Sequence, residues 1–257
     1  MLLKPLSLAK ASVKVSFAVS LCISSSFILS SAHAQDTVQY SGVNNISFHQ
    51  TAYDKTFAGN GFLISVADKL YAVTVKHTLF EAKTPEMKHV AIEKHVKEWR
   101  IHPKQSPNEY IVLGRLLNAD ITEAIDMKIL QKDWLVFEVI ENHSPLTPLT
   151  LRESEVTKGE TLTAYGCAYV NQQQCQQDTY QGQFIAYEPN NLRMKLDNLQ
   201  MDKLRGLSGS PVLDTNNQVV GIVSNVLKSQ TSEGFDFAPA NLKYLSKVLA
   251  KISAKRV

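Results

Sequence analysis

Short apolar segments separated by turns recur along most of this chain, and that spacing constrains its fold more than any other feature. Residues 59–66 and 70–75 predict two strands joined as a hairpin by Ala67-Asp68-Lys69. Comparable segments recur about every eight to twelve residues, a spacing typical of barrels and sandwiches. The sequence therefore predicts an all-β protein.

The one helical pattern lies at the end of the chain. Between residues 241 and 255 the apolar side chains recur at helical spacing, which predicts an amphipathic terminal helix; they are Leu242, Leu245, Val248, Leu249 and Ile252. The chain shows neither the long βαβ alternation of an open α/β sheet nor an internal repeat of roughly 20–50 residues.

The first 34 residues have the organisation of a secretory signal. A start containing Lys4, Lys10 and Lys14 precedes an apolar run over residues 15–29, and Ala32-His33-Ala34 supplies the small residues of a cleavage site. The run is shorter than the roughly 20 residues that a spanning helix needs. We expect residues 1–34 to be a signal peptide cleaved after Ala34, and the mature protein to be secreted or periplasmic.

The charge balance gives no indication of an acidic partner. The chain has 27 Lys and Arg against 24 Asp and Glu, and removal of the three leader lysines leaves 24 of each sign. An even balance gives no reason to expect binding to nucleic acid or to an anionic membrane surface once the signal is removed.

Of the three cysteines, Cys22 leaves with the signal. Cys167 and Cys175 flank a polar loop, and in an oxidising compartment this pair predicts a disulfide. No histidine lies in that stretch to make it a metal site. His89, Glu93 and His95 fit no reliable ligand spacing, so no metal or other cofactor is expected.

A serine between glycines, in the sequence GLSGSP at residues 206–211, is the strongest functional signal. Glycines at 206 and 209 allow a tight turn that presents Ser208, and the backbone N–H groups of such a turn can hold an oxyanion. Many Gly/Ser turns only join two strands. The lipase-type elbow is not met, because Ser210 stands where its last glycine belongs.

The order of the motifs resembles that of the chymotrypsin-like (trypsin-fold) serine peptidases. The match is closest to their bacterial branch, which includes the glutamyl endopeptidases and the protease domain of HtrA proteins. The motifs that carry the resemblance are GNGFLI at residues 59–64, TVKH at 74–77, DWLV at 133–136, GLSGSP at 206–211, GIVS at 221–224, and Phe237-Ala238 before the terminal helix.

The resemblance implies two six-stranded Greek-key β-barrels and a C-terminal α-helix, with the first barrel in residues 35–142 and the second, including the helix, in 149–257. It also implies a catalytic triad in which Ser208 is the nucleophile, His77 the general base and Asp133 the group that orients the histidine. The backbone N–H groups of Gly206 and Ser208 would form the oxyanion hole. Asp126 is the alternative to Asp133, but a longer apolar run follows Asp133.

The substrate implied by the resemblance is a protein or peptide, cut by a monomeric enzyme without cofactor. Asp202 would lie at the base of the specificity pocket and favour Lys or Arg, with Ser224, Asn225 and Phe235 as further pocket residues. Phe235, however, stands where it would fill the space that a long side chain needs. The sequence therefore predicts cleavage of a peptide bond and commits to no side-chain preference beyond it.

Two positions depart from the family pattern. Leu207 replaces the Asp or Asn usual before the nucleophile, and Lys76 replaces a small residue beside His77, where it would crowd the site or point outward. These departures keep open a pseudoprotease that uses the same fold to bind a partner. A third hypothesis, a serine hydrolase acting on small esters, is disfavoured by the all-β pattern.

Overall fold

The structure is a computed structural model that describes residues 38–197, 200–230 and 233–254, and only the backbone of residues 201 and 202. The predicted signal peptide lies outside the described residues. Fourteen strands and one α-helix follow in chain order within the described ranges. Two bodies of six strands each, which we call the first and the second barrel, account for most of them.

The first barrel is a closed antiparallel sheet in the order β1-β2-β3-β8-β6-β5. A separate two-stranded ribbon pairs β4 with β7. The eight strands are β1 (Gly42–Phe48), β2 (Asn60–Val66), β3 (Lys69–Thr74), β4 (His89–Val90), β5 (Val96–His102), β6 (Ile111–Leu116), β7 (Asp120–Ala124) and β8 (Leu135–Asn142).

The second barrel is a closed antiparallel sheet in the order β10-β11-β14-β13-β12-β9. Its strands are β9 (Thr161–Gly166), β10 (Asp178–Tyr187), β11 (Leu192–Leu196), β12 (Pro211–Leu213), β13 (Val219–Lys228) and β14 (Phe235–Asn241). Counted along the chain, both barrels have the same cyclic order: first, second, third, sixth, fifth, fourth. The predicted all-β fold of two Greek-key barrels is confirmed.

The strands that are uniformly apolar in sequence are buried on both faces. In β2, Leu63 points into the core of the first barrel, whereas Phe62 and Ile64 pack into a second cluster between the barrels. Leu213 and Ile222 of the second barrel belong to the same cluster. A strand that is buried on both faces therefore shows no alternation of apolar and polar residues in the sequence, because both faces need apolar side chains.

The helix α1 (Leu242–Ala254) closes the chain against this cluster. Its buried residues are Leu245, Val248 and Leu249, on the face that the periodicity predicts. The side chain of Asn241 accepts a hydrogen bond from Lys243 N at 3.1 Å and so caps the first turn.

The predicted disulfide between Cys167 and Cys175 is present. It closes the segment after β9, which includes the 3₁₀ helix Tyr169–Asn171. Both cysteines are buried and pack with Val43 of the first barrel. The bond therefore fixes a segment of the second barrel where it meets the first.

We expect removal of this bond to destabilise the protein without changing its topology. The variant Cys167→Ser/Cys175→Ser should lose about 2–3 kcal/mol of unfolding free energy, because the unfolded chain regains the entropy of the open loop. Urea unfolding with and without dithiothreitol measures this loss. The reductant should lower the midpoint of the wild type only. Equal midpoints for the two proteins without reductant would contradict the prediction.

Candidate active site

Three separate elements bring His77, Asp133 and Ser208 together. His77 lies in a 3₁₀ helix (Lys76–Phe80) directly after β3, and Asp133 lies between another 3₁₀ helix (Met127–Lys132) and β8. Ser208 lies in the turn before β12 of the second barrel. The site is therefore assembled across the contact between the two barrels.

The three side chains form one line of hydrogen bonds. His77 Nδ1 lies 2.6 Å from Asp133 Oδ2, and His77 Nε2 lies 2.7 Å from Ser208 Oγ. The backbone N–H of His77 also donates to Asp133 Oδ1 at 2.9 Å. Because Nδ1 faces a carboxylate, its proton is donated there, and Nε2 is left to accept the hydroxyl proton of Ser208.

Asp133 is almost completely buried, at 1% relative exposure, and is held by three donors. Besides the two from His77, the Ser224 hydroxyl donates to Asp133 Oδ2 at 2.5 Å. These donors replace hydrogen bonds to water that a carboxylate loses when it is buried. The Ser224 hydroxyl is thus directed at Asp133, although the sequence assigned it to the substrate pocket. The alternative residue, Asp126, instead accepts from Lys128 N at 2.8 Å and caps a 3₁₀ helix.

The turn that carries Ser208 depends on two glycines with positive φ. Gly206 has φ 91° and Gly209 has φ 85°. A Cβ on Gly209 would collide with the carbonyl oxygen of Asn60 and lie 2.7 Å from Thr74 Oγ1. This close approach of β2 and β3 to the turn is possible only without a side chain at that position.

Within the described residues, two backbone N–H groups of this turn have no acceptor. Those of Leu207, Gly209 and Ser210 donate to backbone carbonyls at 2.9–3.1 Å. In the described part of the chain, the N–H groups of Gly206 and Ser208 have no such partner. These are the two groups that the sequence predicts as an oxyanion hole, and both remain available to an acceptor on a substrate.

A cavity of about 220 Å³ adjoins the hydrogen-bonded line. Its wall contains His77, Gly206 and Ser208 together with the rings of Phe57 and Tyr169. Two larger grooves, of about 990 and 830 Å³, border the terminal helix and include neither His77 nor Ser208. The smaller cavity is the one whose position suits chemistry at Ser208.

The predicted specificity pocket is only partly described. The side chain of Asp202 lies outside the described residues. Asn225 is half-buried on β13, where its Oδ1 lies 3.4 Å from Asn191 Nδ2. Phe235 is 52% exposed at the start of β14.

Lys76 and Leu207, the two departures from the family pattern, have buried side chains that lie away from the hydrogen bonds between Asp133, His77 and Ser208. Lys76 is fully buried, and its Nζ lies 2.6 Å from Glu123 Oε2 and 3.2 Å from Tyr244 Oη. Lys76 therefore neither crowds His77 nor points into solvent. Leu207 is fully buried in the core of the second barrel. Neither side chain obstructs Ser208.

The described residues hold no metal centre and no membrane-spanning helix. Among residues 38–197, 200–230 and 233–254, no group of three His, Cys, Asp or Glu side chains is arranged to hold a metal ion. No helix in that same part of the chain is long and apolar enough to cross a membrane.

Comparison with known proteins finds one family whose sequence model matches the chain. The sequence model of the trypsin-like peptidase domain matches residues 59–222, a span that contains His77, Asp133 and Ser208. No curated protein sequence matches the chain.

Solved structures of other proteins resemble the chain as well. The serine endoprotease from Yersinia pestis has 20% sequence identity and a TM-score of 0.51, with 82% of this chain and 62% of that chain covered. An inactive mutant form of Rv3671c from M. tuberculosis H37Rv has 15% identity and a TM-score of 0.48, with 84% and 88% covered. The Yersinia structure shows the shared fold, and this chain spans about three fifths of it.

The fit between Gly209 and Asn60 leads to a test of the turn. We expect Gly209→Ala to abolish function and to lower stability by more than the cost of about 1–2 kcal/mol that a positive φ imposes on an alanine. Gly159→Ala is the matched control, because Gly159 has φ 88° and nothing lies within 4 Å of the place that an added Cβ would take. Thermal unfolding measures the stability of the two variants, and an activity assay measures their function. Equal losses in the two variants would show that backbone strain alone, and not the contact with Asn60, constrains the turn.

Proposed function

We propose an endopeptidase activity for this chain, which belongs to the trypsin-like peptidase domain family and is a serine-type hydrolase. Its catalytic triad in this proposal consists of Ser208, His77 and Asp133. The observation that carries the proposal is the line of hydrogen bonds from Ser208 Oγ through His77 to Asp133, at 2.7 and 2.6 Å. A serine is a weak nucleophile until a base accepts its proton, and this line supplies that base.

In the proposed reaction, Ser208 Oγ attacks the carbonyl carbon of the scissile peptide bond while its proton passes to His77 Nε2. The resulting oxyanion accepts hydrogen bonds from the N–H groups of Gly206 and Ser208. The C–N bond then breaks as Nε2 returns the proton to the leaving amine, and an acyl-enzyme remains on Ser208. Water, deprotonated by the same nitrogen, hydrolyses that ester and releases the serine.

Asp133 has two roles in this proposal. It keeps the Nδ1 proton in place, so that Nε2 is the basic nitrogen, and it stabilises the imidazolium that forms in each step. The hydroxyl of Ser224 supports both roles, because its hydrogen bond at 2.5 Å fixes the carboxylate that faces His77.

The proposed cellular setting is the periplasm or the exterior of the cell, after cleavage behind Ala34. The disulfide between Cys167 and Cys175 supports this setting, because such bonds persist in oxidising compartments. We propose that the mature residues 35–257 act as a monomer on protein or peptide substrates, with the first barrel in 35–142 and the second in 149–257. The proposal includes no nucleic acid, membrane, metal or cofactor.

We expect a fluorophosphonate to form one covalent adduct on the mature wild-type protein, because only an activated serine reacts readily with it. The adduct should disappear in Ser208→Ala and in His77→Ala, and intact-mass spectrometry measures it. Ser210→Ala is the matched control and should keep the adduct. Ser210 is a buried serine of the same turn, and its hydroxyl has no hydrogen-bond partner among the described residues. An unlabelled wild type would contradict the proposal and favour a binding protein. Hydrolysis of short esters without peptide cleavage would favour an esterase.

A second experiment tests side-chain specificity. If Asp202 lies at the base of the pocket, the enzyme should cut after Lys and Arg, because a buried carboxylate pairs with their cationic groups. A peptide library should show this preference, and Asp202→Asn should lower kcat/KM for such peptides about tenfold or more. Asp197→Asn removes the same charge from an exposed residue nearby and should change little. Cleavage after other residues, or equal effects of both variants, would contradict the assignment.

A further inference from the structure

Asn60 is a polar residue of β2 whose side chain crosses from the first barrel to the second. It is 1% exposed, so its amide is removed from water. Its Nδ2 donates to Gly206 O at 2.7 Å, and its backbone N–H donates to Ser208 O at 2.6 Å. One residue of the first barrel thus holds both residues whose N–H groups form the proposed oxyanion hole.

The same amide also holds the segment closed by the disulfide. Asn60 Nδ2 donates to Cys167 O at 3.0 Å, and Asn60 Oδ1 accepts from Cys167 N at 2.9 Å. Both donors of the amide nitrogen and one acceptor site of its oxygen are thereby used on two segments of the second barrel. Asn60 therefore sets the distance between Cys167 and Gly206.

That distance matters because the disulfide segment fixes the peptide group before Gly206. Two residues after Cys167, the backbone N–H of Tyr169 donates to Arg205 O at 2.8 Å. In a trans peptide the C=O and the following N–H point in opposite directions. With Arg205 O held towards Tyr169, Gly206 N–H must point to the other side, where it has no acceptor among the described residues.

We propose that Asn60 is a positioning residue for the oxyanion hole, which keeps the two peptide groups flanking Gly206 in the orientation that leaves Gly206 N–H free for the substrate. Gly206 itself cannot provide this, because a residue without Cβ rotates easily between backbone conformations. The inference rests on the proposed function and adds to it a residue in the other barrel, outside the triad.

The expected effect falls on the chemical step. The oxyanion exists only in the transition state and the tetrahedral intermediate, so a misplaced donor lowers kcat while the ground-state binding that dominates KM is little changed. Loss of one oxyanion donor lowers kcat by about 100- to 1,000-fold in a serine protease. A donor that is present but poorly oriented should lower kcat by about 10- to 100-fold.

The experiment compares Asn60→Asp and Asn60→Ser with Asn241→Ala. Asn60→Asp keeps the shape and the acceptor for Cys167 N but replaces the donating amide with an oxygen that repels Gly206 O. Asn241 is the control, because it is also buried and its amide nitrogen lies within 3.3–3.4 Å of three backbone carbonyls, all outside the site. Steady-state kcat and KM on a peptide substrate, and the urea midpoint, are measured for each.

The proposal predicts that both Asn60 variants have a 10- to 100-fold lower kcat and a KM within about twofold of wild type. It predicts a near wild-type kcat for Asn241→Ala, even where this variant loses as much stability as the Asn60 variants. Equal kcat in all variants, or a higher KM with unchanged kcat, would overturn it. If neither Asn60 variant folds, Asn60 supports the fold as a whole and the proposal is also overturned. Failure of the proposed function is a separate result, since it would show as an unlabelled and inactive wild type.

Discussion

Burial of apolar surface between the two barrels is the interaction on which the site depends. Phe62, Trp134 and Ile222 lie in one cluster with residues of the terminal helix, and each is fully buried. Burial of each such side chain contributes about 1.5–3 kcal/mol. Trp134 also donates from Nε1 to Asn241 O at 3.0 Å, which ties the strand after Asp133 to the start of the helix. The hydrogen bonds that join Asp133, His77 and Ser208 cross this contact, so their lengths depend on the packing between the two barrels.

The contact between the barrels also buries charge, and the charges beside the histidine are paired. Asp133 is held by three donors, and Lys76, the next residue to His77, is paired with Glu123. An unpaired charge at such depth would cost several kcal/mol. Lys76 Nζ lies 4.7 Å from the centre of the Tyr244 ring, so the ammonium is attracted by the terminal helix as well. The residue that looked like an obstruction beside the histidine instead joins its segment to α1.

The sequence predicted what local pattern determines and missed what depends on contacts between distant segments. Strands β2 and β3 and the helix were recognisable from apolar spacing. Strand β7 (Asp120–Ala124) was not, because none of its side chains is buried and an exposed strand leaves no apolar pattern. The serine turn was visible from its glycines. The contacts of Asn60 were not visible, because the sequence places this residue only at the start of the strand predicted over residues 59–66. Its importance arises from Gly206 and Cys167, about 146 and 107 positions further along the chain.

Leu207 stands directly before Ser208, where the family pattern has an Asp or Asn. A leucine has no charge with which to make an ion pair. It is instead fully buried in the core of the second barrel, where it packs with Leu162 and Val212. Burial of this side chain anchors the backbone between Gly206 and Ser208, and Asn60 Nδ2 donates to Gly206 O at 2.7 Å in the same turn. Two constraints from different segments of the chain, one apolar and one from an amide, therefore act on this turn.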